Sequence, residues 1–306
     1  MSEAAFAHVA LIGLGLLGSS LAQAIALHLP GVQVTGYDAS PEVRARAAEL
    51  SLADIRHDPA DAVAGADLII LCVPVGAMAA AARALSPGLS LDAIVSDVGS
   101  SKQSVAEALA EALPGHTVIP AHPVSGTERS GPDAGFASLF HNRWCILTPP
   151  ANADSAEVDR LAAFWRALGA NVETMTAAHH DLVLAITSHV PHLIAYNIVG
   201  TAADLEAVTQ GEVIKFSAGG FRDFTRIAAS DPTMWRDVFL HNREAVLEML
   251  GRLNEDIASL ARAIRWGEGD KLFELFTRTR AIRRSIISSG QETPEPDFGR
   301  RREDKA

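Results

Sequence analysis

Four groups of residues in this chain have the types and spacing to do chemistry. The first is Gly13-Leu14-Gly15-Leu16-Leu17-Gly18, which follows the apolar run His8–Ile12 and precedes an Ala-rich helical stretch. In that context the first glycine permits a tight turn and the second lets backbone approach a pyrophosphate. The third lets helix and strand pack closely, and the helix start at Leu16 and Leu17 offers oriented N–H groups to phosphate. Asp38 closes the next strand-like run, 20 residues after Gly18. A carboxylate there accepts hydrogen bonds from ribose hydroxyls and repels a 2′-phosphate, which selects NAD over NADP. Arg44 and Arg46 stand close enough in sequence to accept that extra phosphate. Val73-Pro74-Val75 and Asp97-Val98-Gly99-Ser100 follow two further strand ends and should line the same crevice.

The second group, His122-Pro123-Val124-Ser125-Gly126-Thr127, also follows a strand end, where a histidine would face the nicotinamide. The third is Ser188-His189-Val190-Pro191-His192 in an apolar helix, with the two histidines on one face and Pro191 opening the helix there. No carboxylate or third histidine stands at a matching spacing, so no metal site is expected. The fourth is Gly219-Gly220-Phe221-Arg222-Asp223-Phe224-Thr225-Arg226, followed by Ser230-Asp231-Pro232-Thr233-Met234-Trp235. Asp223 and Arg226 can pair at i, i+3 and so present a guanidinium fork to a carboxylate. Plain structural readings stand beside three of these groups: a glycine turn that binds nothing, a polar loop histidine and a surface ion pair.

The elements that would position these groups alternate in the first half. Strands are expected at His8–Ile12, Gln33–Tyr37, Leu68–Val73, Ala93–Asp97, Thr117–Ile119, Trp144–Leu147 and Asn171–Glu173. Helices are expected at Leu16–Leu29, Pro41–Leu50, Ala77–Leu85, Lys102–Leu113 and Ser155–Leu168. Uniformly apolar strands joined by helices predict a doubly wound, mostly parallel sheet over residues 1–174. Residues 175–290 read as all-helical, with helices at Ala178–Ala203, Thr233–Ile264 and Asp270–Ser288. Val246, Leu250, Leu253, Ile257, Leu260 and Ile264 form an a/d seam, which fits either internal packing or a helix–helix dimer interface. Residues 291–306, Pro-rich and charged, read as a disordered, solvated tail.

Composition excludes other classes. The 306 residues are 48% hydrophobic and 21% charged, ordinary globular usage. A net charge of −11 disfavours a nucleic-acid partner. Cys72 and Cys145 lie in apolar runs and read as buried, reduced thiols. No signal peptide is apparent and no apolar run nears the length of a membrane span, so a cytoplasmic protein without membrane contact is expected.

Taken together, the glycine loop, D-V-G-S-S-K at 97–102, H-P-V-S-G-T-E at 122–128, S-H-V-P-H at 188–192 and G-G-F-R-D-F-T-R-I-A-A-S-D-P-T-M-W at 219–235 resemble the prephenate/arogenate dehydrogenase family of tyrosine biosynthesis. The resemblance spans roughly residues 8–287. It implies a Rossmann domain followed by an all-helical dimerisation domain, hence a homodimer. It also implies NAD-dependent oxidative decarboxylation of prephenate or arogenate. His122 matches the catalytic histidine that accepts a hydrogen bond from the substrate 4-hydroxyl. Ser100 matches the serine orienting that hydroxyl, with Ser101 a competing choice. Arg226 matches the arginine holding a substrate carboxylate, with Asp223 orienting it. His189 and His192 match pocket histidines, His192 as a second anionic contact. Trp235 matches an aromatic near the pocket that the partner subunit could supply. Thr127 stands where an acidic residue would favour arogenate, so prephenate is the expected preference. Tyrosine, resembling the product, is an expected feedback inhibitor. The chain has no length to spare for a mutase or regulatory domain. The rival readings are a 3-hydroxyacid dehydrogenase of the same build and a non-catalytic NAD-binding sensor.

Overall fold

The computed structural model describes residues 5–127, 129–209 and 215–288. Six strands form one parallel sheet: β1 His8–Ile12, β2 Gln33–Tyr37, β3 Asp54–Ile55, β4 Leu68–Leu71, β5 Ile94–Asp97 and β6 Thr117–Val118, in the order 3-2-1-4-5-6. Two apolar clusters cover its faces. Val9, Leu11, Leu68 and Ile70 pack with Leu21, Ile25, Phe164 and Trp165 on one side. Ala10, Ile69, Leu71 and Val95 pack with Met78, Leu85, Val105 and Leu109 on the other. Burial on both faces explains why these strands are apolar throughout and do not alternate.

Register decides where chemistry can occur. Ile12 pairs with Tyr37 and with Leu71, and Leu71 pairs with Asp97. The chain therefore leaves β1, β2, β4 and β5 at one level, and Gly13, Asp38, Cys72 and Val98 all emerge at the carboxyl edge where doubly wound folds bind ligands. A second sheet follows: β7 Ala121–Pro123, β8 Trp144–Leu147 and β9 Asn171–Thr174, with β7 antiparallel to β8 and β8 parallel to β9.

The helices of this part are α1 Leu16–His28, α2 Pro41–Glu49, α3 Pro59–Val63, α4 Met78–Leu85, α5 Gln103–Ala112 and α6 Ser155–Ala167. β3, β7 and α3 are absent from the sequence expectation. Each has two to five residues, too few for a period to show, and β7 ends in Pro123, tolerated because β7 is an edge strand.

After Thr174 the described residues hold helices only. The stretch expected at Ala178–Ala203 is α7 Ala177–Leu184, a π-helical turn Ala185–His189, and α8 Val190–Thr209. Pro191 has no N–H to give the Thr187 carbonyl, and the wider turn before it absorbs the mismatch. The single helix expected over Thr233–Ile264 is two, Pro232–His241 and Arg243–Trp266, broken at Asn242. Gly219–Thr225 is a further helix, and Gly269–Ser288 is the last. The expected tail lies outside the described residues. The chain forms two compact units, Met1–Met249 and Leu250–Ala306.

The continuous helical run Ala177–Leu205 contains an 18-residue window of mean hydropathy 1.5 and is by length and composition apolar enough to cross a membrane. It contains His180, Asp181 and His189, all buried, and its polar side chains bond to other parts of the same unit. Such contacts tie the polar residues of this helix into the unit.

Candidate active site

The glycine loop is a backbone device. Gly13 has φ +100°, and a Cβ there would lie 2.6 Å from the Cys72 carbonyl oxygen. A Cβ on Gly18 would lie 1.9 Å from the Gly13 oxygen, so this position tolerates no side chain. A Cβ on Gly15 would meet nothing within 4 Å. Gly15 is also the N-cap of α1, which has no side-chain cap. An open approach to an uncapped helix start fits a pyrophosphate. Leu16 and Leu17 anchor that start by packing against the core.

Asp38 fits the ribose. Its Oδ2 accepts from the Leu14 N–H at 2.8 Å and its Oδ1 from the Ser40 N–H at 2.9 Å, which ties the carboxylate to the glycine loop. Each oxygen keeps a lone pair for a hydroxyl. Arg44 lies 5.5 Å over the Tyr37 ring and donates to the Asp38 carbonyl at 2.6 Å. Arg46 points elsewhere, holding Asp133 and Glu49. Val73, Pro74 and Val75 continue the crevice. A Cβ added at Gly99 would lie 3.3 Å from a Val75 methyl, so this segment abuts the turn after β5. At Gly76 an added Cβ would lie 2.6 Å from an Asp237 oxygen, bringing helix Pro232–His241 to the crevice.

His122 sits on β7, opposite Ile146, and is 7% exposed. Its Nδ1 lies 2.8 Å from Nε2 of His180, whose Nδ1 lies 2.8 Å from Asp181 Oδ1. Burial pushes the His122 pKa well below the usual imidazole range, helped by the positive charge that His180, Lys102 and His189 would add. His122 is therefore neutral at ordinary pH. Behind it, Lys102 is wholly buried, its ammonium bonded to Asp97 and to the Ala121 carbonyl. Burial pushes the Asp97 carboxyl up and the Lys102 ammonium down, and their contact opposes both. Asp97 also accepts from the Gly99 and Ala121 N–H groups. Lys102 thus joins the serine turn to the strand that carries His122.

The two serines of that turn differ. Ser101 is fully buried and its Oγ has no partner among the described residues, whereas Ser100 is half-buried. An orphaned buried hydroxyl is what an approaching ligand would satisfy.

The histidines of the third group meet Trp235. His192 stacks on its ring at 3.6 Å between centroids, and His189 meets it edge-on at 6.0 Å. Trp235, allowed as a residue of the partner subunit, here packs within its own chain. His189 is fully buried, and Asn242 donates to its Nδ1 at 3.0 Å and to the Asp181 carbonyl at 2.9 Å. Burial draws the His189 pKa down to about 4. His192 is only partly buried, and its Nδ1 bonds the Ser188 carbonyl at 2.8 Å. Burial also lowers the His192 pKa, and the nearby Arg226 charge adds to the effect.

Arg226 opens a 3-10 turn, Arg226–Ala229, pinned to α8 by the Tyr196 hydroxyl bonding the Ser230 carbonyl at 2.7 Å. Asp223 stands three residues before Arg226, at the end of the helix Gly219–Thr225. The helix stops at Thr225, and Asp223 is exposed. Thr127 is exposed and its hydroxyl accepts from the Arg129 N–H at 3.2 Å; Glu128 lies outside the described residues. The loop that follows is fixed to α1 through Gly135, Gln23 and Ser20. The thiols of Cys72 and Cys145 are pushed up by burial, which removes them as nucleophiles.

Sequence reasoning missed His180, Asp181 and Asn242, and it named Asp97 and Lys102 only as parts of a crevice segment and a motif, not as a buried pair. Asp97 and Lys102 lie inside the D-V-G-S-S-K motif, so a charged pair in an apolar setting was a usable signal. His180 and Asp181 carry no local signature.

The family model described as the prephenate dehydrogenase nucleotide-binding domain matches residues 21–174, and that described as the prephenate dehydrogenase dimerization domain matches residues 176–278. A cyclohexadienyl dehydrogenase of Zymomonas mobilis is 45% identical over 92% of this chain and 96% of its own length. A prephenate dehydrogenase of Bacillus subtilis is 33% identical over 90% of this chain and 75% of its own. The crystal structure of prephenate dehydrogenase from A. aeolicus in complex with hydroxyphenyl propionate and NAD+ superposes with a TM-score of 0.85 at 31% identity, covering 91% of this chain and 98% of that one. With both domains matched in order and a relative 45% identical over nearly the whole length of both chains, the chain belongs to the prephenate dehydrogenase family.

Proposed function

We propose that this chain carries out the NAD-dependent oxidative decarboxylation of prephenate to 4-hydroxyphenylpyruvate, of arogenate to tyrosine, or of both. The observation that carries the reading is a buried neutral imidazole, His122, in the same unit as an NAD-type glycine loop and an Arg226–His192–Trp235 cluster. NAD, when bound along Gly13–Gly18, Asp38 and Val73–Val75, supplies the hydride acceptor for C4 of the substrate.

The chain's own residues do the rest. His122 takes the proton of the 4-hydroxyl as C4 becomes carbonyl-like and the ring carboxylate leaves as CO2. Ser101 orients that hydroxyl; its orphaned Oγ suits the role better than that of Ser100. Arg226 binds a substrate carboxylate as a charged fork, and His192, held flat by Trp235, lines the same pocket. Asp223, three residues before Arg226, is placed to orient it. Thr127 offers no charge to the side-chain amine of arogenate, which favours prephenate. Tyrosine competes at this pocket as a feedback inhibitor.

The active form is a homodimer. Only 28% of the most apolar window of Ala177–Leu205 is buried within one chain, and Ile257 and Ile264 of the a/d seam are exposed. A solution mass of twice 32.4 kDa is expected. The activity is tested by NADH formation with prephenate and with arogenate, each with NAD and with NADP. Turnover of at least one substrate with NAD is expected. Turnover of neither, with NAD still bound, would overturn the reading.

A further inference from the structure

We propose that His180 and Asp181 form a relay behind His122 that fixes its tautomer and receives the proton His122 removes. The proposal rests on the reaction proposed above. It starts from two backbone groups whose roles are not in question. The Lys102 N–H donates to Asp181 Oδ1 at 2.8 Å and the Gln103 N–H to Oδ2 at 2.9 Å. These are the first donors of α5, whose own N-cap side chain gives no cap. A carboxylate from α7 caps the helix instead.

Both Asp181 oxygens accept from those N–H groups, so the His180 Nδ1 at 2.8 Å carries the hydrogen between them. Nε2 of neutral His180 is then bare and accepts, so Nδ1 of His122, 2.8 Å away, must donate. His122 Nε2 is left bare, and no described residue bonds it. Three bonds thus carry the assignment from a helix end to the reacting atom. The other charges facing the pair are the Lys102 ammonium, the Asp97 carboxylate bonded to it, and His189.

The proton balance follows. The substrate hydroxyl proton passes to His122 Nε2, and the His122 Nδ1 proton passes to His180 Nε2. The His180 imidazolium rests against Asp181, while hydride goes to NAD and CO2 leaves the ring. Asp181 borders a cleft of about 930 Å³, shared with Gln103, Glu107 and Arg243, through which water can remove the proton. His180 and Asp181 are positioning residues, since neither touches the substrate.

Nitrogen NMR of the histidine-labelled protein reads the tautomers without turnover. His122 and His180 are both expected as Nδ1–H imidazoles at neutral pH; a His122 carrying hydrogen on Nε2 would overturn the proposal. Asp181→Asn is expected to lose the His180 tautomer and lower kcat about 100-fold, with substrate KM and NAD affinity within about threefold. His180→Gln can accept from His122 but cannot take its proton, so kcat should fall about tenfold with the His122 tautomer kept. Unchanged kcat in His180→Gln would remove the relay. If the wild-type protein shows these tautomers yet oxidises neither substrate, the reaction reading fails and the tautomer assignment stands.

Discussion

The glycine loop and the His122 centre lie in the same unit, with Gly13 at the carboxyl edge of the parallel sheet and His122 on β7 of the second sheet, yet they are assembled differently. Asp38 reaches back 24 residues to the Leu14 N–H, within one strand–helix–strand unit. His122 reaches 58 residues to His180, and Lys102 reaches 79 to Asp181. The first region is backbone, shaped by where side chains are missing. The second is side chains, each held by another side chain or by a helix end. A pyrophosphate needs many N–H groups in a common direction, which a short motif supplies. A proton acceptor needs one atom, desolvated and in one tautomer, which takes several elements to enforce.

This difference can be broken at either end. The largest expected effect comes from His122→Asn, which removes the acceptor and should lower kcat about 10²–10⁴-fold with little change in NAD affinity, read by steady-state NADH formation. Next comes the buried pair. Lys102→Met strands a buried Asp97 and should destabilise the protein by about 3–5 kcal/mol in urea unfolding, while Asp97→Asn with Lys102→Met should cost much less. Equal losses in both variants would mean that charge pairing is not what Lys102 contributes.

Arg226→Ala removes a contact made in ground and transition states alike. It should raise substrate KM by an amount equivalent to about 1.5–3 kcal/mol and leave kcat nearly unchanged. A fall in kcat at constant KM would show the role to be reversed. The smallest effect separates the glycines. Gly15→Ala adds a methyl into open space, so it should fold normally and bind NAD about tenfold more weakly, ~1.4 kcal/mol by calorimetry. Gly18→Ala forces a Cβ onto the Gly13 carbonyl and should lower the melting temperature instead.

The same difference explains what could be read in the sequence. The parallel sheet, the glycine loop and Asp38 are legible because glycine spacing and uniformly apolar strands are local signals. The two-residue β3 and the Pro-ended β7 leave no period to detect. The break at Asn242 is hidden because the apolar residues on either side continue a helical pattern. Its amide is used to bind His189 and the Asp181 carbonyl, partners 53 and 61 residues away.

The pH dependence of kcat/KM, measured in parallel for the wild-type protein and for His122→Asn, tests the central claim most directly. Burial lowers the His122 pKa, so protonation sets in only below the ordinary imidazole value of 6.5. The wild-type protein should hold its activity through that pH and lose it at lower pH, while His122→Asn should be slow and lack that acid limb. An acid limb that persists unchanged in His122→Asn would contradict the assignment of His122 as the proton acceptor.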